Sequence, residues 1–401
     1  MAKKPRREFH FVSGNSSKFW AIELKGKSFD VTYGKLGTNG RNQTKDFATP
    51  DKALAAYDKL IGEKIDKGYV EIDEGNISGD DSLSPAMFAT TPNAHFENLS
   101  MFIGKKVVDY TSPDSVKKNA KVYAVRFSYD AEEYQDANTL LQGFLQTDGP
   151  ATTEGLVIGN YAEGSGPAGD IVKTLVDNKD KFPNLIAIFF GDIVQSECEI
   201  SWIENCDMSP ILAAFPKLEM LRVRGGSGLE FKNAKHEKLR ALGIETGGLN
   251  RKVVAQVSKA KFPNLEHLDL WLGTENYGGT CTVNDLQPIL TGKPFPKLEH
   301  LGVRNSEIAD DVAGVIANAP IVNKISSLDL SLGTMGDEGA DALLTIHEDC
   351  SLKTIDVAEN FIGSKTAKKL KSAAVKIIVN PQRTPEDWGE GELMRFVSVS
   401  E

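Results

Sequence analysis

The chain has 401 residues, 40% of them hydrophobic and 25% charged, which excludes wholesale disorder and is too long for one compact core. Its longest apolar run, Leu185 to Phe190, falls far short of the roughly 18 residues that a membrane helix needs, and no apolar export segment follows Lys3, Lys4, Arg6 and Arg7. The expectation is a cytoplasmic protein with no membrane partner. The net charge of −10 is unevenly spread: residues 1–70 hold 14 Lys and Arg against 8 Asp and Glu, and the rest hold 32 against 48. A small basic module therefore precedes a large acidic body, and only the first has a charge suited to a phosphate backbone. Cys198, Cys206, Cys281 and Cys350 show no CxxC spacing and read as reduced thiols.

Residues 1–75 form the basic module. Trp20, Ile22 and Leu24 alternate, and after Lys25-Gly26-Lys27 so do Phe29, Val31 and Tyr33, the pattern of a β-hairpin. Tyr33 lies on the same alternating face as Phe29 and Val31, which leaves it open whether the ring is core or exposed. A turn-rich stretch, Gly34 to Asn42, precedes Phe47. Thr49-Pro50-Asp51 then supplies a cap, a first-turn proline and an acidic residue for a helix whose apolar face is Ala53, Leu54, Tyr57, Leu60, Ile61 and Ile65.

Four strings of this module, Lys18-Phe19-Trp20, Tyr33 to Gly40, Lys45-Asp46-Phe47 and Glu63 to Tyr69, resemble the WGR domain. That family is named for a Trp-Gly-Arg triplet and includes modules of ADP-ribosyl polymerases that contact DNA ends. Here the triplet position holds Tyr33-Gly34-Lys35: the ring keeps a stacking face, while lysine replaces a planar guanidinium by a point charge. The resemblance implies a DNA or RNA partner, with Tyr33, Lys35, Arg41 and Lys45 as the candidate contacts.

Residues 76–100 read as a linker rich in Gly, Pro, Ser and Thr. Residues 101–181 read as an α/β capping region, with strands at 102–110, 122–129 and 155–159 and helices at 137–146 and 170–176. Between the last strand and helix, Gly164-Ser165-Gly166-Pro167-Ala168-Gly169 matches GxGxxG. A nucleotide-dependent enzyme using this loop is the less favoured alternative, because no acidic residue stands about 20 positions on at the end of a second strand. The plainer reading is a glycine-rich loop with Asp170 capping the next helix.

Residues 182–380 repeat. An L-x-x-L-x-L frame recurs as Leu185/Ile188/Phe190, Leu218/Leu221/Val223, Leu239/Leu242/Ile244, Leu265/Leu268/Leu270, Leu298/Leu301/Val303, Ile325/Leu328/Leu330 and Leu352/Ile355/Val357. Four of the seven open on Phe-Pro-Asn-Leu or Phe-Pro-Lys-Leu. Helical patterns follow at 308–319, 338–347 and 364–373, and residues 381–401 form a tail. The fold class is α/β: a leucine-rich-repeat solenoid with a curved parallel sheet and outer helices, preceded by a small α+β domain. The frame residues point inward and the intervening positions outward, so Arg222, Arg224, Glu245, Asp269, Trp271, Arg304 and Asp329 are expected as an exposed strip on the concave face for a protein partner. His267 and His300 occupy equivalent frame positions.

Strings such as Cys198-Glu199-Ile200-Ser201-Trp202-Ile203, Ile244 to Leu249 and Leu270-Trp271-Leu272-Gly273 resemble an uncharacterised bacterial leucine-rich-repeat family of ribonuclease-inhibitor-like type, which carries no established activity. The six histidines include no HxxxH or HExxH pair, and no GxSxG elbow is present. No catalytic residue, metal site or cofactor is expected. The sequence reads as a non-catalytic binding, scaffold or regulatory protein, with an enzyme inhibitor or escort docked through its first domain as the alternative.

Overall fold

In a computed structural model the chain divides into two compact units, Met1–Glu97 and Asn98–Glu401. The described residues are 3–13, 16–35, 40–65, 69–72, 83, 87–88, 97–126, 136–161, 168–387 and 393–401. Most of the linker at 76–100 and the glycine-rich residues 164–167 lie outside them.

In the first unit, strands β1 (Lys3–Ser13), β2 (Ser16–Lys25), β3 (Ser28–Lys35), β4 (Arg41–Asp46) and β5 (Val70–Ile72) form an antiparallel sheet in the order β4-β3-β2-β1-β5. Gly26 turns the β2–β3 hairpin at a positive φ of 70°. Helix α1 (Pro50–Ile65) starts at Thr49, whose hydroxyl accepts from Lys52 N. Its Ala53, Tyr57 and Ile61 close one core with Phe9, Trp20, Ile22, Leu24 and Phe29 of the sheet. Strand β4 has no counterpart in the sequence expectation: all six of its residues, Arg-Asn-Gln-Thr-Lys-Asp, are exposed at the sheet edge, so it has no apolar alternation to reveal it.

The second unit is built on one sheet of 12 strands. These are β6 (Met101–Phe102), β7 (Lys105–Asp109), β8 (Val122–Val125), β9 (Gly155–Ile158), β10 (Ala187–Phe190), β11 (Met220–Arg224), β12 (Ala241–Glu245), β13 (His267–Gly273), β14 (His300–Ser306), β15 (Ser327–Asp329), β16 (Thr354–Asp356) and β17 (Lys376–Ile378). They lie in chain order and, after the β6–β7 hairpin, every neighbouring pair is parallel. This is the architecture of a repeat solenoid. One sheet thus joins residues 101–181 to 182–380.

All seven frames lead into strands, and their second apolar residues form a ladder in register: Ile188, Leu221, Leu242, Leu268, Leu301, Leu328 and Ile355. The ladder extends to Leu156 and Tyr123 on one side and Ile377 on the other. The intervening helices are α2 (Ala137–Phe144), α3 (Gly149–Thr152), α4 (Ala168–Asp177), α5 (Ser209–Ala214), α6 (Arg251–Lys259), α7 (Val283–Leu290), α8 (Ala309–Ala317), α9 (Asp337–Leu343) and α10 (Ser364–Leu370). Their apolar faces join the ladder in one core. The Phe-Pro motifs meet from repeat to repeat, Phe182 edge-to-face with Phe215 at 6.2 Å between ring centroids and Phe262 stacked on Phe295 at 6.4 Å.

Because Leu242 is fully buried in mid-ladder, Leu242→Ala is expected to destabilise the chain by about 2–5 kcal/mol in urea unfolding. A change below about 1 kcal/mol would contradict a packed ladder at this position.

Candidate functional site

The first unit presents a basic and aromatic edge. Across the β2–β3–β4 register Trp20 faces Tyr33, Tyr33 faces Arg41, and Lys18 faces Lys35. Exposure rises along the row, from buried Phe29 through half-buried Val31 to Tyr33 at 42%, so the ring is a surface group at the end of a core row. Arg41 and Lys45 are exposed, with Lys45 Nζ 5.7 Å from the Phe47 ring centroid. The Lys35 backbone belongs to β3; its side chain lies outside the described residues. Gly40 fixes this edge: at φ +64° a side chain there would come within 2.5 Å of the Phe19 ring and 2.8 Å of the Tyr33 carbonyl. Lys18 joins the candidate contacts, because the register of a hairpin turning at Gly26 places it opposite Lys35.

The second unit corrects the expectation of an exposed strip. Arg222, Arg224, Glu245, Asp269, Trp271 and Arg304 are 1–4% exposed, and Asp329 is half-buried. The physical reason lies in the register, which sets opposite charges side by side so that they pair. Glu245 accepts from Arg222 Nε and, at 2.9 Å, from Arg224 Nε, while Arg224 Nη1 donates to the Ile193 carbonyl at 2.8 Å. Arg304 bridges Asp269 at 3.1 Å and Asp329 at 3.2 Å. The guanidinium carbons of Arg222 and Arg224 lie 4.4 and 5.2 Å from the Phe189 ring centroid, and that of Arg304 lies 5.4 Å from the Trp271 ring. Charges this deeply buried persist only when paired.

Burial pushes the Glu245 carboxyl up, but Arg222 and Arg224 outweigh it and hold the group below the usual carboxylate range. At the other end of the row Asp356 faces Asp329 across β15–β16, and burial followed by that neighbouring charge pushes Asp356 up to about 7. His267 and His300 face each other in register, their rings stacked 4.0 Å apart and 6° from parallel. His300 Nδ1 lies 3.1 Å from the Ser327 hydroxyl. Burial, the neighbouring imidazole, and the charges of Arg304 and Arg222 push His267 well down from its ordinary value; burial lowers His300 too, although Asp269 and Asp329 oppose it. Among the described residues, no three His, Cys, Asp or Glu side chains are grouped so as to hold a metal ion, and no helix is long and apolar enough to cross a membrane.

Residues 6–76 match the family described as the WGR domain, so the first unit carries a WGR domain. The chain is 39% identical over 111 residues to Protein YehF of Escherichia coli (strain K12), a stretch covering 27% of this chain and 38% of that protein. It is 41% identical over 66 residues to Uncharacterized protein YfeS of the same organism, covering 16% and 27%. The match thus spans well under half of either relative. A crystal structure of a Bacteroides fragilis protein is similar along nearly the whole length, with a TM-score of 0.67, 29% identity, and coverage of 99% of this chain and 100% of that one.

Replacing Glu245 by Ala leaves Arg222 and Arg224 buried without their shared counter-charge, and the expected loss is about 3–5 kcal/mol in urea unfolding. A second expectation concerns acid. A histidine whose folded value is depressed contributes stability above its unfolded value, about 6.5, and loses that contribution as the pH falls below it. Asp356, raised to about 7, acts in the opposite sense as the pH falls, so the expectation is a difference: the thermal midpoint of the wild type relative to that of His267→Gln should fall along the acid limb from pH 6.5 to 5. An unchanged difference would show that the stacked pair does not titrate.

Proposed function

We propose that this chain is a non-catalytic binding protein whose WGR domain contacts nucleic acid and whose repeat unit engages a protein partner. The observation that carries the first half is the juxtaposition of exposed Tyr33 with Arg41, beside the register pair Lys18 and Lys35, on a module bearing a net charge of +6 over residues 1–70. An aromatic face offers stacking to a base or sugar, and the cations around it offer contacts to phosphates. Lys45, farther along β4, extends the basic edge.

The protein-binding half is supported by the repeat architecture, in which a rigid sheet and successive loops present many positions in a fixed order. Its polar row, Arg222, Arg224, Glu245, Asp269, Trp271, Arg304 and Asp329, serves in this reading as an internal brace, so a partner is met at loops and edges.

The test is fluorescence anisotropy of blunt, nicked and single-stranded DNA and of RNA with the full chain over a salt series. Binding should weaken steeply with salt, and Arg41→Ala should weaken it on every sequence while lowering the salt slope by about 1. Tyr33→Ala should weaken binding with little change in slope. Salt-independent binding, or none, would overturn the nucleic-acid half.

A further inference from the structure

Among the described residues of the second unit, one large aromatic side chain stands exposed. Trp202 is 70% exposed, in the short 3₁₀ turn Ile200–Trp202 after β10. Its neighbours Ile200 and Ile203 are buried at 3% and 0%, so the turn is pinned from below while the indole stands free. Asn205 locks the segment: its side chain donates to the Arg224 carbonyl at 2.8 Å and the Gly225 carbonyl at 2.9 Å, and accepts from Tyr161 Oη at 2.9 Å. Its backbone N–H donates to the Ser227 carbonyl at 2.7 Å. The ring is thus displayed on a fixed loop, which lowers the ordering cost of binding.

Two features state what the ring would meet. The segment from Gln195 to Asp207 carries Glu197, Glu199, Glu204 and Asp207 and no lysine or arginine. Glu204 is exposed and Glu199 half-exposed, on either side of Trp202 in the chain. An exposed indole on an acidic segment attracts a cation by its π-face and by the charge of that segment together, and the segment repels a phosphate. Next to Trp202, Ser201 lines a cavity of about 400 Å³, together with Gly226, Ser227, Asn250, Lys252 and Tyr277. The Ser201 hydroxyl is buried and has no hydrogen-bond partner. Lys252 shares the single Glu230 carboxylate with Lys232, so the cavity itself is not acidic and the attraction for a cation comes from Glu199 and Glu204.

We propose that Trp202 and the cavity beside it form a docking site for a basic peptide segment of a partner protein. An arginine or lysine stacks on the indole, which Glu199 and Glu204 flank in the chain, and the adjoining residue enters the cavity that Ser201 lines. The proposal rests on the reading of the repeat unit as a protein-binding body and adds the surface and the chemistry of the partner.

The test titrates the full chain with a fluorescein-labelled peptide of repeated arginine–glycine pairs, with a glutamate–glycine peptide and a single-stranded oligothymidylate as comparisons. The arginine peptide should bind and the glutamate peptide should not. Trp202→Ala should weaken arginine-peptide binding about tenfold or more, with Trp202→Phe largely restoring it. Glu204→Gln should weaken binding and flatten its salt dependence. The thermal midpoint of Trp202→Ala should match that of the wild type, since the ring packs on little. Arginine-peptide binding that survives Trp202→Ala overturns this surface alone. Oligothymidylate binding lost with Trp202→Ala overturns the assignment of a protein partner to it. A chain that binds neither peptide overturns the surface and, with it, its support for the protein-binding reading, whereas the DNA titration above is unaffected.

Discussion

Strand register is the constraint on which the second unit depends. Each repeat contributes one short parallel strand, and the second apolar residue of every frame pairs with its counterpart in the next. A one-residue slip would exchange the two faces of a strand, moving leucines out of the core and arginines into it. The ladder from Tyr123 to Ile377 therefore fixes which residues become neighbours on both faces, however far apart they lie in the chain.

The polar face follows from that alignment. Arg222 and Glu245 are 23 residues apart, and Arg304 and Asp269 are 35 apart, yet both pairs become adjacent because their strands are in step. Once adjacent, opposite charges neutralise one another and can be buried together, which an isolated arginine at 1–4% exposure could not be. The stacked His267 and His300 arise in the same way, as equivalent positions of successive repeats brought ring to ring. Repetition thus produces a second, charged core row beside the apolar one.

The seven frames were legible in the sequence because leucine periodicity is dense and repeated, and the helix of the first unit because its cap and apolar face agree. Strand β4 was not, since an edge strand of Arg-Asn-Gln-Thr-Lys-Asp carries no burial pattern. The alternation rule separates Arg222, Asp269 and Arg304 from the leucines, but it says nothing about exposure, which depends on partners contributed by other repeats, and Trp271 joins the apolar core. Tyr33 shows the converse. Its face was readable, while its position at the end of a row whose buried part is Phe29 was a matter of three-dimensional packing. Trp202 carried no periodic signal at all, and its display depends on Asn205 tying the loop to Gly225 and Ser227.

The central claim is that contacts with nucleic acid fall on the β2–β3–β4 edge and not on the charged row of the repeat unit. Hydrogen–deuterium exchange of the full chain, with and without nicked duplex DNA, tests this most directly. The account predicts added protection within residues 16–46 and none in 220–224, 241–245 or 267–273, whose strands are already buried. Protection confined to those repeat strands, with the N-terminal edge unchanged, would contradict it.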